Sequence, residues 1–218
     1  MLNCRFDRHQ VLSDLFEISA ISIANGIENN KLLWQKREKR YIEIIKKYSV
    51  KDRQILQDTF LDLCSILSNS CKTGFDDYLG KLYMMSETSS NKTGQFFTPY
   101  HLSVLSAETL INKELLSSNE FLTVFEPSCG SGGMILALAD VLWNKHKLDY
   151  SKKMFAECSD IDQRCVHMTY VQLSLAGIPA VDKNKNAVTG EVWDKLYTPA
   201  LVLQWERFNK FLRKGEIK

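Results

Sequence analysis

The sequence predicts an α/β protein, a helical N-terminal part followed by the opening units of a nucleotide-binding sheet. Three observations predict it. A short apolar run, Leu122–Phe125, breaks into Glu126-Pro127-Ser128-Cys129-Gly130-Ser131-Gly132-Gly133 and resumes as good helix formers from Met134 to Ala139. A second apolar run, Lys153–Cys158, leads through Ser159-Asp160-Ile161-Asp162 into a helix from Arg164 to Ala176 closed by Gly177. Before them, residues up to about Ser86 place their apolar side chains only at helical spacing.

The glycine-rich turn is the element the rest is organised around. Glycines suit a tight turn, and they let a ligand approach the backbone with no Cβ in the way. The unpaired N–H groups at the following helix start then serve as donors. A lone G-x-G reads equally well as a plain βα turn without ligand. Three features favour a ligand. No Lys follows the glycines, so this is not a phosphate-cradling loop. Glu126 stands before the turn, where it can reach an amine. Asp160 follows the next strand, where a ribose-binding carboxylate belongs. Two acids so placed suit S-adenosyl-L-methionine, which carries an ammonium and a ribose diol but no phosphate.

Composition narrows the class. The 218 residues hold one full domain, or a helical domain plus a small α/β one. No apolar run approaches membrane-spanning length and MLNCRFDRHQ is no signal peptide, so no membrane partner and a cytoplasmic location are expected. The six cysteines show neither C-x-x-C pairing nor zinc-ligand spacing and read as reduced thiols, with no metal expected. A net charge of +2 demands no nucleic acid. Between Lys31 and Arg53, however, nine basic residues stand against Glu38, Glu43 and Asp52. That run is a candidate DNA-phosphate face, although such a run is more often the solvated side of a helix.

Taken in order, a first helix carries Val11, Leu15, Phe16, Ile18 and Ile21 and ends at Gly26. A second carries Trp34, Tyr41, Ile44 and Ile45 opposite the basic residues. Ser49 can cap a third, and Asp76 or Asp77 a fourth through Tyr78, Leu79 and Leu82. Ser86–Gly94 is a polar junction. Thr98 then caps a helix with Pro99 in its first turn, running to about Leu116. Pro179-Ala180-Val181 opens a third strand into Asn186, and the chain ends in a helical stretch from Leu201 to Leu212. His101 and His167 have no partner in the pattern and read as structural. The expected organisation is 1–93 helical, 94–190 a sheet-bearing core, and 191–218 a C-terminal helical segment.

Three stretches in one order resemble a family: GQFFTP (94–99), FEPSCGSGG (125–133), and CSDID (158–162) ahead of a helix ending LSLAGI (173–178). They resemble the modification subunits of type I restriction systems, adenine-N6 DNA methyltransferases using S-adenosylmethionine. The stretch Asp77-Tyr78-Leu79-Gly80-Lys81-Leu82-Tyr83 is similar to that family's segment before its methylase core, so the resemblance spans about residues 75–190. It implies a Rossmann-like S-adenosylmethionine-dependent methyltransferase core with a partial sheet. It implies that Phe97, Thr98 and Pro99 line the methionine end of the cofactor. Glu126 and Pro127, with the backbone of Ser128, Gly130, Ser131 and Gly132, hold the amino-acid moiety. Asp160 takes the ribose hydroxyls, Ile161 faces the adenine, and Asn186 stands where an acid usually meets the adenine amine. The family's Asn-Pro-Pro-aromatic motif, which holds a flipped adenine, is absent from this sequence. No catalytic residue is therefore assigned. Strand 122–125, without that neighbour, is expected to need a cover from a companion chain, a second copy or a segment of this chain. The rival readings are a non-catalytic cofactor-binding partner and a methyltransferase for a substrate other than DNA.

Overall fold

The computed structural model describes residues 7–87 and 96–208. Cys4, most of the junction expected at Ser86–Gly94, Gly94-Gln95 of the GQFFTP stretch, and the C-terminal helix beyond Phe208 lie outside the described residues. Helix α1 (Arg8–Asn25) starts at Asp7, whose side chain accepts the His9 N–H. Asn30 caps α2 (Lys31–Ile45) and Ser49 caps α3 (Val50–Ser68) in the same way. A single turn, α4 (Ser70–Thr73), and α5 (Tyr78–Glu87) follow. Asp77 is the cap of α5, its Oδ1 accepting the Gly80 N–H at 2.9 Å.

The helix expected over 99–116 is two helices, α6 (Tyr100–Leu110) and α7 (Lys113–Ser118). The chain breaks because Ile111 turns inward and Asn112 caps the new start, accepting the Leu115 N–H at 2.8 Å. Pro99, not Thr98, occupies the N-cap of α6, and no side chain bonds to that helix start.

Strand β1 (Leu122–Glu126) leads through the glycine turn into α8 (Gly133–Asp140), which widens into a π turn over Val141–Lys145. A short α9 (Tyr150–Lys153) precedes β2 (Met154–Asp160), and α10 (Gln163–Leu175) precedes β3 (Ala180–Lys185). The sheet order is β1-β2-β3-β4, with the first three strands parallel. Strand β4 (Val192–Tyr197) pairs antiparallel with β3, and α11 (Pro199–Leu203) follows it. The segment 191–218, expected to be helical, thus opens with a strand. A turn through Asn186–Gly190, with Gly190 at φ 79°, folds it back, and alternation sends Leu196 inward.

Two packed cores meet at α10. One lies between the sheet and α6 and α8, with Met154, Ala156, Cys158 and Ala180 facing Ile135, Leu136 and Leu173. The other joins α1, α3 and α5 to the far side of α10 through Leu15, Phe16, Leu56, Leu79, Met168 and Val171. Met168 and Val171 are fully buried, each contributing about 1.5–3 kcal/mol. A third, smaller cluster of Phe121, Phe155, Val181, Leu201 and Phe208 covers the opposite sheet face. No helix among the described residues is long and apolar enough to cross a membrane.

Asp182 lies within this packing on β3, opposite Cys158 in the parallel register, and is fully buried. Neither carboxyl oxygen has a hydrogen-bond partner among the described residues. Burial pushes the carboxyl well above the usual carboxylate range, and the Cys158 thiol opposes it. Above the unfolded carboxylate value the unfolded chain releases a proton that the native chain keeps, so stability falls as pH rises toward the native value. Asp182→Asn should remove that slope: the urea midpoint of the variant relative to wild type should rise between about pH 4 and about pH 8. Equal pH dependence of the two proteins would contradict the neutral Asp182.

Candidate functional site

The turn after β1 is built on two left-handed residues, Gly130 at φ 56° and Gly132 at φ 92°. Side chains would be strained at both, and space is also lacking. A Cβ on Gly130 would sit 3.0 Å from the Phe97 ring, and one on Gly132 would sit 3.2 Å from Thr169. The turn is tied to β2 by the Cys129 N–H, which donates to the Ser159 carbonyl at 2.9 Å. Thr169 of α10 donates to the Gly130 carbonyl at 3.1 Å. The N–H groups of Ser131 and Gly133 have no protein acceptor among the described residues, so the start of α8 keeps donors for a ligand.

Two acids end adjacent parallel strands at this turn. Asp160 accepts the Gly130 N–H at 3.0 Å through Oδ2 and the Asp162 N–H at 2.9 Å through Oδ1. A carboxylate has about four lone-pair sites, so each oxygen can accept once more. Glu126 accepts the Ser128 N–H at 3.1 Å. Burial pushes both carboxyls upward from their ordinary values. The Ser128 N–H opposes this at Glu126, and the Asp162 and Gly130 N–H groups oppose it at Asp160. The Asp160 charge adds to the upward shift of Glu126. A ligand bringing a cation or hydroxyl donors relieves both groups. The residues present therefore fit S-adenosylmethionine: a backbone cradle that a Cβ would fill, flanked by two acids with acceptor capacity left.

Phe97 stands over the turn and packs on Tyr83, ring centroids 5.4 Å apart. With Thr98 and Pro99 it lines a cavity of about 680 Å³ that also meets Asp77, Gly80 and His101. Ile161, 64% exposed, heads the loop after β2. Pro127 and Ser128 form the exposed shoulder of the turn. Ser131 is different: its hydroxyl turns inward and donates to Asp77 Oδ2 at 2.5 Å. Asn186 closes the β3–β4 hairpin, its Oδ1 accepting the Val188 and Thr189 N–H groups at 2.9 and 3.1 Å. The asparagine that touches the Asp160 segment is Asn184, which donates to the carbonyls of Asp160 and Ile161, both at 3.1 Å.

Asp77 and Gln172 are the residues that sequence reasoning missed. Asp77 was legible as a helix cap, but nothing local joins it to Gln172 or Ser131. Of the basic run, Arg37 pairs with Glu28 at 2.9 Å, Arg40 with Glu17 at 2.6 Å, and Lys47 with Asp14 at 3.2 Å. Arg53 donates to the carbonyls of Ile45 and Tyr48. Four of the nine cations are thus used inside the helical part. Lys31, Lys36, Lys39, Lys46 and Lys51 have no ion pair among the described residues. His167 is buried, and burial pushes its imidazole downward.

No curated protein matches the chain. A solved chain from Listeria monocytogenes, described as a class I S-adenosylmethionine-dependent methyltransferase, is 17% identical with a TM-score of 0.39. The match covers 77% of this chain and 51% of that one, so this chain spans about half its length. The family model for N-6 DNA methylase matches residues 75–198, more than half of the sequence. The chain belongs to the N-6 DNA methylase family, and S-adenosylmethionine is the cofactor that membership implies.

Proposed function

We propose that the chain is the cofactor-binding part of an adenine-N6 DNA methyltransferase of the type I restriction-modification kind. The observation that carries this reading is the pair of acids, Glu126 and Asp160, bracketing a turn of two left-handed glycines. Asp160 accepts the ribose hydroxyls with its remaining lone pairs, and Ile161 lies against the adenine. Glu126 meets the ammonium, while Pro127 and the backbone of Ser128, Gly130, Ser131 and Gly132 shape the seat of the amino-acid end. Phe97, Thr98 and Pro99 wall that end. Asn186 is left to its hairpin turn. When bound, the cofactor supplies a methyl group on a sulfonium, electrophilic enough for an adenine amine. The free lysines of the 31–53 run offer phosphate contacts, which position DNA without reading its sequence. On this reading the protein works in the cytoplasm, where its free cysteines stay reduced.

A second reading is favoured by one observation: β1 is an edge strand of the described sheet. The edge lies beside a cavity of about 570 Å³ lined by Leu110, Leu115, Val124 and Phe125. An open apolar edge invites pairing. A companion chain or a second copy seated there would supply the group that holds the target adenine.

Charge-assisted bonds to a buried carboxylate are worth roughly 1.5–3 kcal/mol each. Asp160→Ala should therefore weaken S-adenosylmethionine at least about tenfold in calorimetry, with helical content retained by circular dichroism. Gly130→Val should abolish binding, through positive φ and the Phe97 ring. Wild-type affinity in both variants would end the cofactor assignment.

Methyl transfer tests the need for a companion. The pure chain, given methyl-labelled cofactor and mixed DNA, should bind cofactor and leave adenine unlabelled. Label at adenine-N6 that disappears in Asp160→Ala would rule out the need for a companion.

A further inference from the structure

Ser131 lies between the two left-handed glycines, and its grip comes from far away in the chain. Asp77 Oδ2 accepts its hydroxyl, and Gln172 Nε2 donates to its carbonyl at 2.7 Å. Gln172 Nε2 also donates to Asp77 Oδ1 at 2.8 Å, and Gln172 Oε1 accepts the Leu79 N–H at 3.1 Å. One turn residue is thus held at side chain and backbone by α10 and by the residue that caps α5. All three side chains are buried, Asp77 at 4% exposure, Ser131 at 2% and Gln172 at 0%. Two glycines clear the space. A Cβ on Gly80 would lie 2.1 Å from Asp77 Oδ2 and 2.5 Å from Ser131 Oγ, and one on Gly133 would lie 3.1 Å from Asp77 Oδ2.

We propose that Asp77 is a positioning residue for the cofactor turn: braced by Gln172, it fixes Ser131 and so sets the backbone that receives the amino-acid end of the cofactor. This rests on the cofactor reading above. A turn flanked by glycines has little conformational preference of its own, so its shape must be imposed from outside. The Ser131 hydroxyl is buried and spent inward on Asp77. Removing it changes the turn and not the list of cofactor contacts. Asp160, which holds the ribose end, is tied to Gly130 and Asp162 and not to Asp77. The two halves of the cofactor should therefore respond differently.

The test compares S-adenosylhomocysteine with 5′-methylthioadenosine, which keeps adenine and ribose but lacks the amino acid. Asp77→Ala removes the acceptor of the Ser131 hydroxyl, where an Asn amide would donate to that hydroxyl and keep the link. Ser131→Ala deletes only that hydroxyl and serves if Asp77→Ala fails to fold. Each variant should weaken S-adenosylhomocysteine about tenfold in calorimetry and 5′-methylthioadenosine less than about twofold. The double variant should lose no more than the worse single one, because both break the same link. Equal loss for the two ligands, no loss, or additive losses would overturn the positioning role while leaving the cofactor reading standing. Wild-type protein that fails to bind either ligand overturns the cofactor reading and this proposal with it.

Discussion

The backbone at 129–132 is bent through two left-handed glycines, and the rest of the site is arranged to hold that bend. Glycine permits the conformation without favouring it. The hold comes from three directions. Ser159 and Asp160 at the end of β2 accept N–H groups of Cys129 and Gly130. Thr169 and Gln172, three residues apart on α10, donate to the carbonyls of Gly130 and Ser131. Asp77 accepts the Ser131 hydroxyl. Each bond is modest in net worth, roughly 0.5–1.5 kcal/mol for neutral partners. Together they tie two carbonyls, two N–H groups and the one hydroxyl of the turn to β2, α10 and the start of α5.

The same geometry concentrates acids. Glu126, Asp160 and Asp182 sit on three neighbouring parallel strands, and burial pushes all three carboxyls upward. They differ in what offsets the cost. Glu126 and Asp160 accept backbone N–H groups and keep acceptor capacity. Asp182 lies deeper, beside the Cys158 thiol and with no backbone N–H to accept among the described residues. The outer pair is poised for a ligand with cationic and hydroxyl donors, while the inner one bears on stability alone. The difference follows from position along the strand, since only the strand ends reach the turn.

What the sequence made legible was local. The first strand, its turn and α8 follow each other within 122–140, and period and glycine content mark them directly. Strand β4 was not legible, because Val192–Tyr197 gains its strand character from pairing with β3 across a turn whose tip, Ala187-Val188, is exposed. Ile111 and Asn112 split a helix that apolar periodicity alone reads as continuous. The Asp77–Gln172–Ser131 link spans up to 95 residues and leaves no spacing signal. The resemblance alone pointed to Asn186, whose side chain caps the β3–β4 turn, while Asn184, two residues earlier, bonds to the Asp160–Ile161 backbone.

The N-terminal helices are best understood as one wall of the site. In a parallel sheet a ligand binds outside the carboxyl ends of the strands, and the strands on either side of the crevice supply its walls. Here β1 is the edge of the described sheet, so on that side no further strand contributes. A wall of the site comes from Phe97–Pro99 and from α5. Phe97 covers Gly130 and leans on Tyr83, whose ring meets His9 of α1 and the Arg164 guanidinium of α10. Asp77 reaches the turn from the start of α5. The core that joins α1, α3 and α5 to α10 takes in Tyr83, with Phe97 packed against it. Loosening that helical core would move Phe97 and Asp77 together, opening the turn without touching a residue of the sheet.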